Sequence, residues 1–336
     1  MGKIQAPGRS FAPEDRDRRA FPATARCRYD VYGVVVESGF RLLSVDESDD
    51  PNADAAISLV LGSPEYFRAK TEGLALEPDE WFQHFVLPGG NIYLRVNDLF
   101  EAVVSSDGRQ AVCAKLAEVD DRSFEANLLN FVLSSSLTLR GEEPLHATVV
   151  DLGGRAVGLL GPSGVGKSTL AAFLIGQGAK LITDDMLRLT FADGWSFAHS
   201  GPHRLKLFDE TAERFLPEAM GDGHWNAASG KIMVRPHAPM AGRHAPWPLA
   251  ALFWLGDAVP AVEAGVSSAR LAGLDLLRAI TASAMNIWYY APDRLARQLQ
   301  FAERVAHVLP VHALRYARSY PLLDRVAAEI WRLAGP

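Results

Sequence analysis

The chain has 336 residues, 48% of them hydrophobic and 22% charged, enough apolar material for two ordinary domains and too much for a globally disordered polymer. Its formal net charge of -6 provides no basic field of the kind a nucleic-acid binder needs, and the one basic run, Arg16–Arg19, is interleaved with Asp15 and Asp17. Two cysteines, Cys27 and Cys113, without a CxxC pair or a His/Cys cluster, argue against a disulfide framework and a cysteine metal site.

Residues 1–28 carry Pro7, Pro13 and Pro22 among many charges and are expected to form a polar leader. They lack the apolar stretch of a signal peptide, and Ala6 stands where a myristoylation motif needs Ser or Thr. No apolar run approaches the ~20 residues that span a bilayer. A cytoplasmic protein with no membrane partner is expected.

From Tyr29 to about Val119 the pattern is strand-like. Short apolar runs (Val31–Val36, Ala56–Leu61, Phe82–Leu87, Asn91–Val96, Ala102–Val104, Ala111–Ala114) alternate with turn signals, of which Pro88-Gly89-Gly90 and Asp107-Gly108 are the clearest. Helical spacing of Phe124, Leu128, Leu129, Phe131, Val132 and Leu137 then predicts a helix over Asp121–Leu139. Residues 29–141 thus read as a smaller, β-rich α+β domain.

Near residue 142 the character changes to interleaved strands and helices, which predicts an α/β domain over 142–336 with a mainly parallel, helix-covered sheet. Ala147–Asp151 and Arg155–Leu160 form a hairpin turning at Gly153-Gly154. A helix follows from Lys167 to about Gln177, then a strand at Lys180–Thr183. Helices are expected at Asp209–Leu216, Gly273–Ser283, Asp293–Val308 and Tyr320–Leu333, and strands at Leu249–Leu255 and Val311–Ala317.

The segment Gly161-Pro162-Ser163-Gly164-Val165-Gly166-Lys167-Ser168 matches GxxxxGK[ST]. Its glycines let successive backbone N–H groups wrap phosphates, and the following helix N-terminus adds partial positive charge. Lys167 is expected at the β and γ phosphates and the Ser168 hydroxyl on Mg²⁺, with Thr169 the next residue of the cradle. The context fits, because an apolar strand enters the loop and a helix bearing Leu170, Phe173 and Leu174 leaves it. The bland alternative is a glycine-rich strand–helix turn.

One helix downstream stands Leu181-Ile182-Thr183-Asp184-Asp185. Its strand is expected to be a parallel neighbour of the one that feeds the loop, so that both end at the edge where ligands of open α/β sheets bind. One carboxylate can hold Mg²⁺ while the other faces an acceptor hydroxyl. Neighbouring carboxylates repel, which favours a liganded pair over a solvated acidic turn. His146, between Leu145 and Ala147, reads by itself as structural. Arg204, Lys206 and Lys231 are candidate cations for the terminal phosphate.

Read together, Leu145-His146-Ala147, the loop through Thr169 and Leu181–Asp185 resemble the catalytic domain of HPr kinase/phosphorylase and its divergent relatives. Some of those relatives resemble kinases of lasso-peptide gene clusters, which phosphorylate a serine of a ribosomally made precursor peptide. The resemblance implies that Asp184 faces the acceptor serine, that Asp185 lies near the metal and that His146 lies near the phosphates. It departs at Thr169, where HPr kinases carry Glu, and at His203–Phe208, where their glycine-rich signature is absent. The implied activity is ATP-dependent phosphorylation of a serine on a peptide or protein, with Mg²⁺. A small-molecule kinase and a nucleotide-binding regulatory switch stand as alternatives, and homo-oligomerisation is open.

Overall fold

The computed structural model describes residues 26–50, 52–116, 118–226, 229–236, 245–256 and 265–335. The Arg16–Arg19 run, Ala6 and all but the last residues of the polar leader lie outside them.

The first part of the chain forms strands β1 (Cys27–Val31), β2 (Val34–Ser38), β3 (Asp46–Glu47) and β4 (Ile57–Leu61), then helix α1 (Pro64–Thr71). Strands β5 (Phe82–Val86), β6 (Ile92–Val96), β7 (Phe100–Val104) and β8 (Gln110–Lys115) lead into helix α2 (Asp121–Leu139). The strands make one eight-stranded sheet in the order β3-β1-β2-β4-β8-β7-β6-β5. One face buries Tyr29, Val36, Leu59, Leu94 and Phe100 against Leu128, Val132 and other residues of α2. The opposite face packs Tyr93 and Val103 on Phe67 of α1.

The expected single strand Val31–Val36 is in fact two strands joined at Tyr32-Gly33. Both residues have positive φ, 54° and 68°, as a two-residue type I′ hairpin requires. The valines on either side masked a turn whose one sequence signal was Gly33. Helix α1 was also unforeseen. Its start is explained by Ser63, whose side chain accepts from the Tyr66 N–H, and by Pro64 in the first turn.

The second part begins with β9 (Ala147–Asp151) and β10 (Ala156–Leu160), the hairpin predicted from its glycines. Helix α3 (Lys167–Gly176), β11 (Lys180–Thr183), β12 (Leu189–Ala192), β13 (Trp195–Ala198) and β14 (Leu205–Leu207) follow. Then come α4 (Asp209–Phe215), β15 (His224–Asn226), β16 (Lys231–Val234), β17 (Trp247–Leu255) and β18 (Val266–Arg270). Helices α5 (Gly273–Ser283) and α6 (Pro292–Val308), strand β19 (Val311–Tyr316) and helix α7 (Leu323–Ala334) complete it.

The sheet is mixed rather than mainly parallel. Only β10, β17 and β19 run side by side in parallel, while β9, β11, β13 and β18 pair antiparallel. Strand β11 is not the neighbour of β10, because β9 lies between them. Two antiparallel pairings in succession restore its direction, so β10 and β11 still end at the same edge. The reason lies in connection length: the glycine hairpin after β9 lets it pair with β10 at once, whereas a crossover through α3 must land one strand further out. Along β10, Val157 and Leu159 face a core with α3, α4 and α7, while Ala156 and Leu160 face a core with α5 and α6. No helix among the described residues is long and apolar enough to cross a membrane.

Candidate phosphate and carboxylate site

Four chain segments leave the sheet at one edge: the loop after β10, Gly256 after β17, Arg318 beyond β19, and Asp184-Asp185 after β11. The glycine requirement is strictest at Gly161, where φ is +139° and a Cβ would lie 2.5 Å from the Leu255 carbonyl oxygen. Pro162, Ser163 and Gly164 are exposed, Val165 and Gly166 half-buried, and Ser168 and Thr169 half-buried on the first turn of α3.

Lys167 is 6% exposed. Its ammonium donates to the carbonyls of Gly161 (2.7 Å) and Pro162 (3.0 Å), folding the side chain back over its own loop. Burial pulls its pKa down to about 8, with Lys231 adding to the effect and Asp184 and Asp185 opposing it.

Asp184 is equally buried. Thr148 of β9 donates to its Oδ1 (2.7 Å) and the Lys206 N–H donates to its Oδ2 (3.1 Å). Burial and the neighbouring Asp185 raise its pKa. Asp185 adopts φ +68°, a left-handed conformation that turns it away from its predecessor. Its Oδ2 lies 2.8 Å from the Lys206 ammonium. Burial works to raise its pKa, but Lys206, with Arg204, outweighs that and holds the carboxyl well below the usual range. The two acids are therefore pushed apart, the pattern from which distinct roles arise.

His146 is half-buried, and its N–H backbone donates to the Ser283 carbonyl (2.7 Å). Burial first, and then Lys167, Lys231 and Lys206, lower its pKa to about 4, although Asp185 acts the other way. The imidazole is neutral at neutral pH, and its electrostatic neighbours place it with the loop lysine and the carboxylates. All the singled-out residues thus gather at one sheet edge.

The three candidate cations part company. Lys206 pairs with Asp185. Lys231 lies with its ammonium 5.2 Å from the Phe208 ring centroid and acts on both His146 and Lys167. Arg204 instead donates to Ser44 Oγ (3.2 Å) and the Ala126 carbonyl (2.8 Å), so it joins the two sheets.

Two residues were missed. Arg318 carries its Cδ 4.0 Å from where a Gly166 Cβ would stand, and its guanidinium covers the Tyr316 ring at 4.1 Å. One nitrogen donates to the Gly256 carbonyl (2.8 Å), while Nε and Nη1 are buried without a hydrogen-bond partner among the described residues. Nothing in the local sequence distinguishes it from a surface arginine. Tyr32 was taken for a strand residue, and its phenol lies among Thr183, Arg204, Asp184 and Asp185.

The residues present suit a metal-bound polyphosphate. Loop amides, Lys167 and Lys231, and orphaned guanidinium nitrogens provide positive charge, and Asp185 with the Ser168 hydroxyl provides the hard oxygen donors Mg²⁺ prefers. Among the described residues no group of three or more His, Cys, Asp or Glu could hold a metal by itself. That fits a magnesium shared with substrate phosphates rather than caged by protein.

Fifty-six residues of the chain are 43% identical to HPr kinase/phosphorylase of Clostridium botulinum, with the same figures for strain Eklund 17B / Type B and strain Alaska E43 / Type E3. Over this stretch the chain is similar to HPr kinase/phosphorylase. The matched stretch is 17% of this chain and 18% of each relative, so the chain spans less than a fifth of the length of the curated relatives it matches. A solved structure, the Hpr(Ser) kinase/phosphatase from Coxiella burnetii, aligns over 56% of this chain and 96% of its own, with 12% identity and a TM-score of 0.29. No family model matches the chain.

Proposed function

We propose that this protein is an ATP-dependent kinase that phosphorylates a serine hydroxyl on a peptide or protein. The observation that carries the reading is the buried Asp184 carboxylate, held by Thr148 and the Lys206 N–H at the sheet edge where the loop lysine also lies. A simple nucleotide switch has no need of a second carboxylate fixed so firmly.

Transfer proceeds through a loose transition state, so the protein contributes position and charge neutralisation. The loop amides and Lys167 hold the phosphates. Lys167 must give up its bonds to the Gly161 and Pro162 carbonyls to do so, and a phosphate is the stronger acceptor. Ser168 and Asp185 would hold Mg²⁺, which when bound neutralises charge on the phosphates. The acceptor hydroxyl oxygen attacks the γ-phosphorus as the bond to the β–γ bridging oxygen breaks. Its proton passes to Asp184, whose raised pKa makes it a better acceptor than an ordinary carboxylate. His146, held neutral, can donate or accept a hydrogen bond at the phosphates without adding charge. The unpartnered nitrogens of Arg318 offer further donors beside the loop.

Asp184→Asn keeps the size of the side chain and removes the charge that orients and accepts the proton. Transfer should fall by roughly 10²-fold or more, with nucleotide affinity little changed. Asp185→Asn should instead weaken the response to Mg²⁺. Single-turnover transfer from labelled ATP to serine-bearing peptides, with nucleotide affinity measured in parallel, decides the matter. Wild-type transfer by Asp184→Asn would sink the reading.

A further inference from the structure

The N-terminal sheet ends differently at its two edges. At one, β3 is two residues long and both are acidic, Asp46 and Glu47, which blunts it against further pairing. At the other, β5 runs through Phe82-Gln83-His84-Phe85-Val86 without a charge or a proline. Its pairing with β6 fixes which groups face outward. The Asn97 N–H donates to the Trp81 carbonyl (2.9 Å) and the Leu87 N–H to the Asn91 carbonyl (2.8 Å), so alternate residues from Trp81 to Leu87 bond to β6 and its flanks. The N–H and C=O groups of Phe82, His84 and Val86 therefore point away from the sheet. None of them has a backbone partner among the described residues.

The open edge has an apolar rim and an acidic end. Phe82 stacks on Phe131 of α2 with ring centroids 5.0 Å apart, and His84 lies against Trp288 at 4.3 Å. Trp81, Val86 and, on the turn that carries Trp288, Ile287 and Tyr290 are large apolar side chains left exposed. Asp79 and Glu80, both exposed, run into Trp81, and the exposed Asp98 follows the Asn97 that bonds to it. A short path ties this rim to the carboxylates. Leu145 bridges Leu187, two residues beyond Asp185, and also Ala284, four residues before Trp288. Asp185 and Trp288 are thereby at most about 30 Å apart, a span that roughly nine residues of extended peptide cover.

We propose that β5 is a docking strand, on which an extended segment of the acceptor peptide adds as a ninth strand while its serine reaches the carboxylates. The inference rests on the kinase reading of the site and says how its acceptor is held. Outward N–H and C=O groups that recur at every second residue are matched by another backbone in β conformation. Alternate side chains of the added strand fall on the face that holds Phe82, His84 and Val86, so apolar residues are expected there. The acidic end calls for a lysine or arginine opposite Glu80. A second copy of this chain fits less well. Pairing β5 with itself about His84 sets Leu87-Pro88-Gly89 against the acidic end, with no cation to meet Glu80.

The test uses the full chain and a labelled synthetic peptide. In it Lys-Arg and an alternating valine–threonine segment are joined by a glycine–alanine spacer of about nine residues to a serine. Binding is read by fluorescence anisotropy without nucleotide, and phosphorylation by single-turnover transfer from ATP. Val86→Pro removes one outward N–H and leaves the ladder to β6 intact, whereas Val86→Ala keeps that N–H. Val86→Pro should weaken binding by about tenfold and Val86→Ala by less than about threefold, with nucleotide affinity unchanged in both. N-methylation of the valine–threonine backbone should cause the same loss with the wild-type protein, whether or not Val86→Pro folds. Glu80→Lys should weaken this peptide and strengthen one that carries Glu-Asp in place of Lys-Arg. Equal binding of the plain and N-methylated peptides, or no binding to the wild type, overturns the proposal. So does a wild-type dimer that Val86→Pro dissociates, since the edge then belongs to a second copy. Binding with the expected responses but no transfer leaves the docking strand in place and refutes the kinase reading instead.

Discussion

Lys167 is a buried ammonium that donates to two loop carbonyls, with the Asp184 and Asp185 carboxylates offsetting part of the cost of burying its charge. Two consequences follow from its burial. Lys167→Ala should lose most transfer while the protein stays folded, since the side chain contacts its own loop rather than the core. Its pKa of about 8 also means that the free enzyme loses this charge in mildly alkaline solution. The charged form binds phosphate, so kcat/KM for nucleotide, which reports the free enzyme, should decline as pH rises through about 8. A profile that stays flat well above that value would show that the ammonium is not what recruits the nucleotide.

Among the elements, α2 and α6 carry the clearest tests. Asp120 caps α2, accepting from the Ser123 N–H (2.8 Å), and also pairs with His224 of β15 (2.7 Å). Burial acts to raise its pKa, but the bonds from His224 and Ser123 prevail and hold it well below the usual range. A carboxyl depressed in the folded state contributes stability above its unfolded pKa of ~3.9, and that contribution is lost as pH falls below it. Asp120→Ala should therefore cost about 1 kcal/mol at neutral pH, the usual worth of a cap, and less in acid. Denaturant unfolding at both pH values measures this. In α6, Arg294 is buried against Glu143, 3.2 Å away, and donates to the carbonyls of Met285 (2.6 Å) and Tyr289 (3.0 Å). Arg294→Met would strand a buried carboxylate and several carbonyls at a cost of about 3–5 kcal/mol, read as a lowered midpoint in the same experiment.

At the scale of the whole molecule, residues 29–141 build one sheet and residues 142–336 a larger sheet and a three-stranded one, β14-β16-β15, each part with its own helices, and we propose them as two domains. Their junction combines apolar packing, with Met186, Met285 and Trp288 set against the core of the N-terminal sheet, and polar bonds that reach a loop braced within the first part. Glu125 of α2 accepts from the Leu43 N–H and from the N–H and hydroxyl of Ser44. Ser44 in turn accepts from Arg204 and His203, and His203 pairs with Asp46 (2.8 Å). Strand β14, whose Lys206 holds both acids, is thereby tied to the N-terminal sheet on its upstream side. Residues 142–336 expressed alone should consequently bind nucleotide more weakly in Mg²⁺ and transfer far more slowly than the full chain. Full activity of that fragment on a serine peptide would refute the coupling.

How much of this was legible beforehand can be traced residue by residue. The proposed phosphate loop is a local device: glycines, lysine and serine at fixed spacing between an apolar strand and a helix act through their own backbone, so the strand–loop–helix setting of Gly161–Ser168 could be read directly. Helix α2 declared itself by periodicity, and the β9–β10 hairpin by Gly153-Gly154, because each depends on neighbours in the chain. Strand order did not, since β9 lies between β10 and β11 through a pairing that no short-range pattern encodes. The turn at Tyr32-Gly33 was hidden between flanking valines. The roles of Lys206, Arg204 and Arg318 were equally hidden, because a basic residue becomes a partner only when another segment folds against it. The sequence by itself determined the chemistry available at the site. Tertiary structure decided which sheet holds the carboxylates still, because burial and pairing between distant segments set both their charge and their position.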